Sequence, residues 1–216
     1  MRYHTIIFDL DGTLLDTLQD LADSTNFALK TMGFPERTLE EVRTFVGNGV
    51  AKLIERAIPK ETDRETFLKT LSVFKEHYAL HCEDHTKLYD GILQLLDMLL
   101  QNGAKLAVVS NKTDSAVRVL CEKYLGDRIT ISVGDREGIA RKPEPDSVLE
   151  VLKKLNVSTE DAVYIGDSEV DILTAQNAKM DAIIVTWGFR DREFLIRNGA
   201  PVLADSAEEL GKMILF

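Results

Sequence analysis

The sequence predicts an α/β protein: a doubly wound parallel sheet with a small all-helical unit inserted after its first strand. Three observations lead there. Near the start, Thr5-Ile6-Ile7-Phe8 is apolar on both faces, as a central parallel strand requires. From about residue 92 onward, short apolar runs alternate with helix-period segments, the pattern of crossover connections and a parallel sheet. Between Leu14 and about Leu88 that alternation stops and only helical periodicity remains.

Taken in order, the first strand covers about 6–10. Leu18, Leu21, Ala22, Thr25, Leu29 and Met32 then form one helical stripe, ended by Gly33 and Pro35. Phe67, Leu68, Leu71, Phe74 and Tyr78 form a second stripe, preceded by a charged, solvated stretch over 60–65. The insertion should begin and end close together, near Asp16-Thr17 and Tyr89-Asp90-Gly91, and so hinge as a lid. Residues 1–15 and 89–216 are expected to form the catalytic core, and 16–88 the helical cap. In the core, strands are expected over 105–109, 129–133, 162–165, 182–185 and 201–203. Helices are expected over 115–124, 146–155 and 170–177, with a last amphipathic helix after 203.

With 44% hydrophobic and 29% charged residues, the 216-residue chain reads as an ordinary globular protein rather than a disordered one. Its formal charge of -10 argues against nucleic acid and anionic membranes as partners, because both would be repelled. A small phosphorylated metabolite remains compatible where cations are gathered locally. Cys82 and Cys121 lack CxxC spacing, which points to two reduced, buried thiols. The N-terminal stretch has no signal-peptide pattern and no apolar run reaches membrane-spanning length, so a cytoplasmic protein is expected. Monomer and homodimer both remain open.

The chemistry is concentrated at strand ends. Asp9-Leu10-Asp11-Gly12-Thr13 follows the first strand, and a side-chain period of two points both carboxylates to one side. Two anions about 4 Å apart there repel by roughly 4 kcal/mol at an effective dielectric of about 20, so a cation is expected between them. Gly12 permits a sharp turn, and Thr13 offers a hydroxyl. Ligands in such sheets bind outside the carboxyl ends of the strands. The strand ending at Val109 leads to Ser110-Asn111-Lys112-Thr113, readable as an anion cradle at a helix start or as a plain turn and cap. Lys142, between Arg141 and Pro143, could hold a phosphoryl oxygen or be an ordinary surface lysine. After Ile165 come Asp167 and Asp171, of which helix capping explains one but not both. Asp9, Asp11 and Asp167 would supply an oxygen set suited to Mg²⁺.

In order and spacing, Asp9-Leu10-Asp11-Gly12-Thr13, Ser110-Asn111, Lys142-Pro143 and Gly166-Asp167-Ser168-Glu169-Val170-Asp171 resemble the four motifs of the haloacid dehalogenase superfamily, phosphatase branch. The resemblance covers essentially the whole chain, helical cap included. It implies Asp9 as nucleophile and Asp11 as acid and base. It further implies Mg²⁺ on Asp9, the Asp11 carbonyl and Asp167, with Ser110, Asn111 and Lys142 on the phosphoryl group and Asp171 and Thr13 in support. A carboxylate at Asp11 disfavours dehalogenation, because dehalogenase members lack an acid/base group there.

Substrate choice is expected to lie in the cap. Gly47, Asn48 and Gly49 precede a helix beginning near Ala51, and this segment with Leu53-Ile54-Glu55-Arg56-Ala57 resembles the cap loop of phosphoglycolate phosphatases. A plain turn before a helix remains the other reading. Lys52 departs from that subgroup's pattern, yet could bind a substrate carboxylate. A sugar phosphomutase similar to β-phosphoglucomutase would need a more basic cap loop. Pyrophosphatase, a phosphonate hydrolase using Lys52 or Lys30, and an inactive binding protein are the remaining alternatives.

Overall fold

The computed structural model describes residues 2–216. β1 (Thr5–Phe8) leads through a tight turn to β2 (Leu15–Asp16). A helical stretch follows: α1 (Leu18–Thr31), α2 (Leu39–Phe45), α3 (Val50–Ala57) and α4 (Arg64–His81). It returns at β3 (Lys87–Leu88), which pairs with β2. Then come α5 (Ile92–Gln101), β4 (Lys105–Thr113), α6 (Asp114–Leu125), β5 (Ile131–Asp135) and α7 (Asp146–Leu155). The chain closes with β6 (Ala162–Gly166), α8 (Glu169–Ala178), β7 (Asp181–Val185), α9 (Arg192–Arg197), β8 (Leu203–Ala204) and α10 (Ala207–Leu215).

The six-stranded sheet has the order β5-β4-β1-β6-β7-β8, and every neighbouring pair is parallel. Thr5 to Phe8 pair with Lys105 to Val108 on one side and with Ala162 to Ile165 on the other. A strand so placed must be apolar on both faces, and all four residues of β1 are buried. Ile7, Ala107, Val109, Tyr164 and Ile184 pack against apolar residues of α7 and α8. The alternate set, Ile6, Phe8, Leu106, Val108, Val163 and Ile165, is fully buried on the opposite face, where α5 meets β4 and α10. Full burial of each such side chain contributes about 1.5–3 kcal/mol. Strand order reverses at β1, so the ends of β1, β4 and β6 converge on the crevice where ligands bind in such sheets.

The chain divides into two compact units, one of Met1–Leu15 with Leu88–Phe216 and the other of Asp16–Lys87. Within the helical unit, α1 packs on α4, burying Leu21, Ala22, Thr25, Ala28 and Leu29 from one and Leu71, Phe74 and Tyr78 from the other. Leu68, placed on the apolar stripe by sequence, is instead 47% exposed, because the buried face of α4 centres on Thr70, Leu71, Phe74 and Tyr78. α2 carries a capping box: Glu41 N donates to Thr38 Oγ1 at 3.2 Å, and Thr38 N donates to Glu41 Oε2 at 2.8 Å. β4 runs on to Thr113, beyond the end expected at Val109, with a register shift between those two residues. Cys82 and Cys121 are buried and form no disulfide. No helix among the described residues is long and apolar enough to cross a membrane.

Asp20, only 1% exposed, ties the end of this unit to α1. Its carboxylate accepts from His85 N at 2.8 Å, Thr86 N at 2.9 Å and Thr86 Oγ1 at 2.7 Å. Asp20→Ala removes the acceptor of all three donors and is expected to cost about 3 kcal/mol in urea unfolding. A loss below about 1 kcal/mol would show that water or the neighbouring chain replaces it.

Candidate active site

The end of β1 sets the site. Asp9 N donates to Ile165 O at 2.8 Å, so the backbone is still tied to β6 as it leaves the strand. Gly12 sits at φ +85°, and a Cβ added there would collide with the Asp167 carboxylate. The close approach of the two loops therefore requires glycine. Thr13 donates its hydroxyl to Asp167 Oδ1 at 3.3 Å, completing the link from the β1 loop to the β6 loop.

Lys142 enters from the loop before α7 and is 3% exposed. Its Nζ donates to Asp171 Oδ1 at 2.8 Å and Tyr164 OH at 2.9 Å, and lies 2.9 Å from Asp9 Oδ1. Burial alone would push this ammonium down, but the Asp171 and Asp9 carboxylates outweigh it and hold its pKa well above the ordinary value. With two of its three hydrogens on Asp171 and Tyr164, the ammonium keeps one for Asp9 Oδ1, which no other donor among the described residues reaches. Asn111 donates to Lys142 O at 2.9 Å and so fixes this loop against β4.

Asp171 is wholly buried and spent on protein donors. Its Oδ2 accepts from Asp167 N at 3.2 Å, Ser168 N at 3.1 Å and Ser168 Oγ at 2.6 Å. It thus caps α8 while anchoring Lys142. Asp167, before the cap residue, accepts only from Thr13 Oγ1 and, at 2.7 Å, from Phe189 N, with no ion-pair partner among the described residues.

Asp9 and Asp11, expected from the sequence to share a cation, each also form an ion pair with a lysine. β1 ends at Phe8, so strand alternation does not extend to Asp11, and each carboxylate meets its own ammonium. Lys112 Nζ reaches Asp11 at 2.9 Å to Oδ1 and 3.0 Å to Oδ2, with its side chain 2% exposed. Ser110 and Asn111 lie in the irregular end of β4 rather than at a helix start, and Ser110 Oγ accepts from Lys112 N at 3.3 Å. Both are buried beside the site. Gly47, Asn48, Gly49 and Lys52 belong to the helical unit. There Gly49 precedes α3, and the exposed Lys52 ammonium is 2.6 Å from Glu55 Oε2.

Lys112, Tyr164 and the loop after β7 were missed in the sequence. Tyr164 sits in an apolar strand run and Lys112 within an apparent turn, so neither is marked by its neighbours. The loop after β7 carried a usable signal, since it follows a strand end like the other motifs. There Trp187 Nε1 donates to Thr13 O at 3.0 Å.

Among the described residues, Asp9, Asp11 and Asp171 pair with two ammonium groups, those of Lys112 and Lys142, while Asp167 feels only the Arg190 guanidinium, itself paired with Glu169. Burial first, opposed by Lys142 and reinforced by Asp171 and Asp11, raises Asp9 to about 7. Burial, then Asp171 and Asp9, push Asp167 well above the usual range despite the Phe189 amide. The excess of carboxylates over cations and the all-oxygen donor set fit a hard divalent cation. One ligand atom each from Asp9, Asp167 and Asp171 lies within 4.8 Å of the others, and Asp171 is the one already saturated.

Comparison with known proteins identifies the family. The sequence profile of the haloacid dehalogenase-like hydrolases matches residues 6–185. The chain belongs to this family. It is 32% identical over 216 residues to a phosphoglycolate phosphatase of Vibrio parahaemolyticus, covering 97% of this chain and 95% of that one. A phosphoglycolate phosphatase of Agrobacterium fabrum is 36% identical over 193 residues, 86% of this chain and 81% of that protein. Among solved structures, one from Lactobacillus delbrueckii subsp. bulgaricus, provisionally named a phosphoglycolate phosphatase, superposes with a TM-score of 0.95 at 41% identity. That match covers 100% of this chain and 99% of the other. Family membership makes the protein a hydrolase.

The raised carboxylates set a pH dependence. Asp9 and Asp167 bind protons more tightly folded than unfolded, so the metal-free protein should lose stability as pH rises from about 4 through about 7. The Asp9 part is on the order of 4 kcal/mol. Thermal melts in chelator are expected to show Tm falling from pH 5 to pH 8, with added Mg²⁺ stabilising far more at pH 8. A Tm that is flat or rises over that range would refute the assignment.

Proposed function

We propose that the protein is a Mg²⁺-dependent phosphatase acting on a small phosphate monoester, with phosphoglycolate as the foremost candidate. The observation that carries it is Asp9: a buried carboxylate at a strand end that shares the Lys142 ammonium with Asp171 and lies with Asp167 and Asp171 within reach of one cation. Asp9, the Asp11 carbonyl and Asp167 would hold the Mg²⁺, which supplies charge neutralisation at Asp9 and at the entering phosphate. Lys142 and Ser110 bind the phosphoryl oxygens, and Asn111 keeps Lys142 in place through its carbonyl.

Asp9 attacks phosphorus, the bond to the leaving oxygen breaks, and Asp11, entering the cycle in its protonated form, delivers that proton to the leaving oxygen. Asp11 then takes a proton from water, which attacks the aspartyl phosphate, releases inorganic phosphate and restores Asp9. Splitting the reaction matters because phosphate-monoester hydrolysis needs more than about 20 kcal/mol of barrier lowering. Lys112 grips both oxygens of Asp11 and keeps the carboxylate from swinging away. The helical unit, 16–87, acts as the lid, with Gly47, Asn48, Gly49 and Lys52 choosing the organic part of the substrate. The chain's two crossings between the units, at Leu15–Asp16 and Lys87–Leu88, support a hinge.

Phosphate release is to be followed on phosphoglycolate, pyrophosphate, a phosphonate and glucose 1-phosphates, in Mg²⁺ and in excess chelator. Release from phosphoglycolate in Mg²⁺ alone, abolished by Asp9→Asn in a folded protein, is expected. Isomerised sugar phosphate without released phosphate would make the protein a mutase. Full activity of Asp9→Asn, or activity undiminished in chelator, would overturn the mechanism.

Lys112→Met tests the acid step. Turnover of an alkyl phosphate, whose leaving oxygen needs a proton, should fall by about 100-fold, whereas p-nitrophenyl phosphate should lose far less. Equal losses on both substrates would assign Lys112 to phosphate binding instead.

A further inference from the structure

Trp187 is the only tryptophan in the chain. It opens the loop after β7, a segment to which neither the motifs nor the proposed chemistry gives a role. Three independent observations bring that loop onto the metal-ligand side of the site. Trp187 Nε1 donates to Thr13 O at 3.0 Å, tying the loop to the turn that follows Asp9 and Asp11. Phe189 N donates to Asp167 Oδ2 at 2.7 Å, the shortest hydrogen bond that carboxylate makes. Between them, Gly188 lies so close that a Cβ would collide with Asp167 Oδ2 and with the Gly12 carbonyl oxygen.

We propose that Trp187-Gly188-Phe189 is a positioning clamp for the divalent cation: it presses on the β1 and β6 loops together and fixes Asp167 for metal binding. The physical case is one of orientation. Among the described residues Asp167 has no ion-pair partner to orient it: Lys142 is committed to Asp9 and Asp171, Lys112 to Asp11, and Arg190, whose charge it feels, to Glu169. Its two oxygens are aimed only by the Thr13 hydroxyl and the Phe189 amide, and both donors stand on backbone that the Trp187 indole staples together. Outer partners that aim a ligand in this way govern metal affinity as strongly as they govern geometry. The indole is thereby placed beside the cation site, where occupancy should register in its emission.

This inference rests on the Mg²⁺ reading above, and the experiment separates the two. Mg²⁺ is titrated into metal-stripped protein by calorimetry and by tryptophan emission, with no substrate present. Wild-type protein should bind one Mg²⁺ with a change in emission, and Asp167→Asn should lose both signals. Trp187→Phe keeps an aromatic side chain but not the donor, and should weaken calorimetric Mg²⁺ binding by about tenfold while leaving the metal-free Tm within about 2 °C. Gly188→Ala, read in the same way, should weaken binding at least as much; if it does not fold, Trp187→Phe and the wild-type emission decide. Wild-type protein that binds no Mg²⁺ would refute the metal reading itself. Normal wild-type binding with unchanged affinity in Trp187→Phe would overturn the clamp. So would weaker binding accompanied by a matching fall in metal-free Tm, since the loop would then be holding the fold and not the ligand.

Discussion

The site depends on the Lys142 ammonium, held between Asp9 and Asp171 where both carboxylates are buried. Taking three charged groups out of water costs several kcal/mol each unless they compensate one another. Asp171 does so at no loss to the fold, because its second oxygen caps α8 and orders the backbone of Asp167 and Ser168. Tyr164, inside the sheet, adds its hydroxyl to the same ammonium. The lysine therefore joins β1, β6, α8 and the loop before α7, and the nucleophile candidate is positioned by the elements that also make the core.

That compensation is incomplete, and the incompleteness is informative. Lys142 and Lys112 bring two positive charges to four carboxylates, and the shortfall shows at Asp9 and Asp167, whose protons are held abnormally tightly. An arrangement made only for stability would replace such groups with apolar ones, since buried charges seldom repay their desolvation. Strain of this kind is concentrated where a ligand supplies the missing charge. Asp11 shows the opposite condition, gripped through both oxygens by Lys112 at the edge of the site, a group oriented rather than left in need.

Much of this was legible from residues alone. The apolar runs around Ile7 and Val163 announced a buried parallel sheet, and Asp9, Asp11, Asp167 and Asp171 drew notice as polar residues at strand ends, whereas Lys142, in the loop before α7, stood out only through its prolines and the motif resemblance. The misses share a cause. Lys112 and Tyr164 stand inside stretches that look like turn and strand, and Leu68 satisfies a helical period yet sits just beyond the buried arc of α4. Trp187 looks like any apolar residue, and its importance lies in a hydrogen bond to Thr13, 174 positions away.

By itself the sequence determined the fold class, the helical insertion and the residue types brought to the strand ends, because local periodicity and strand-end chemistry depend on near neighbours. Tertiary structure alone decided the pairing: which ammonium answers which carboxylate, which aspartate is saturated by the helix it caps, and which loop presses on Asp167. Those assignments rest on distances of about 3 Å between groups distant in the chain. Electrostatic energy in a buried site is steep in such distances, and no pattern along the chain encodes them.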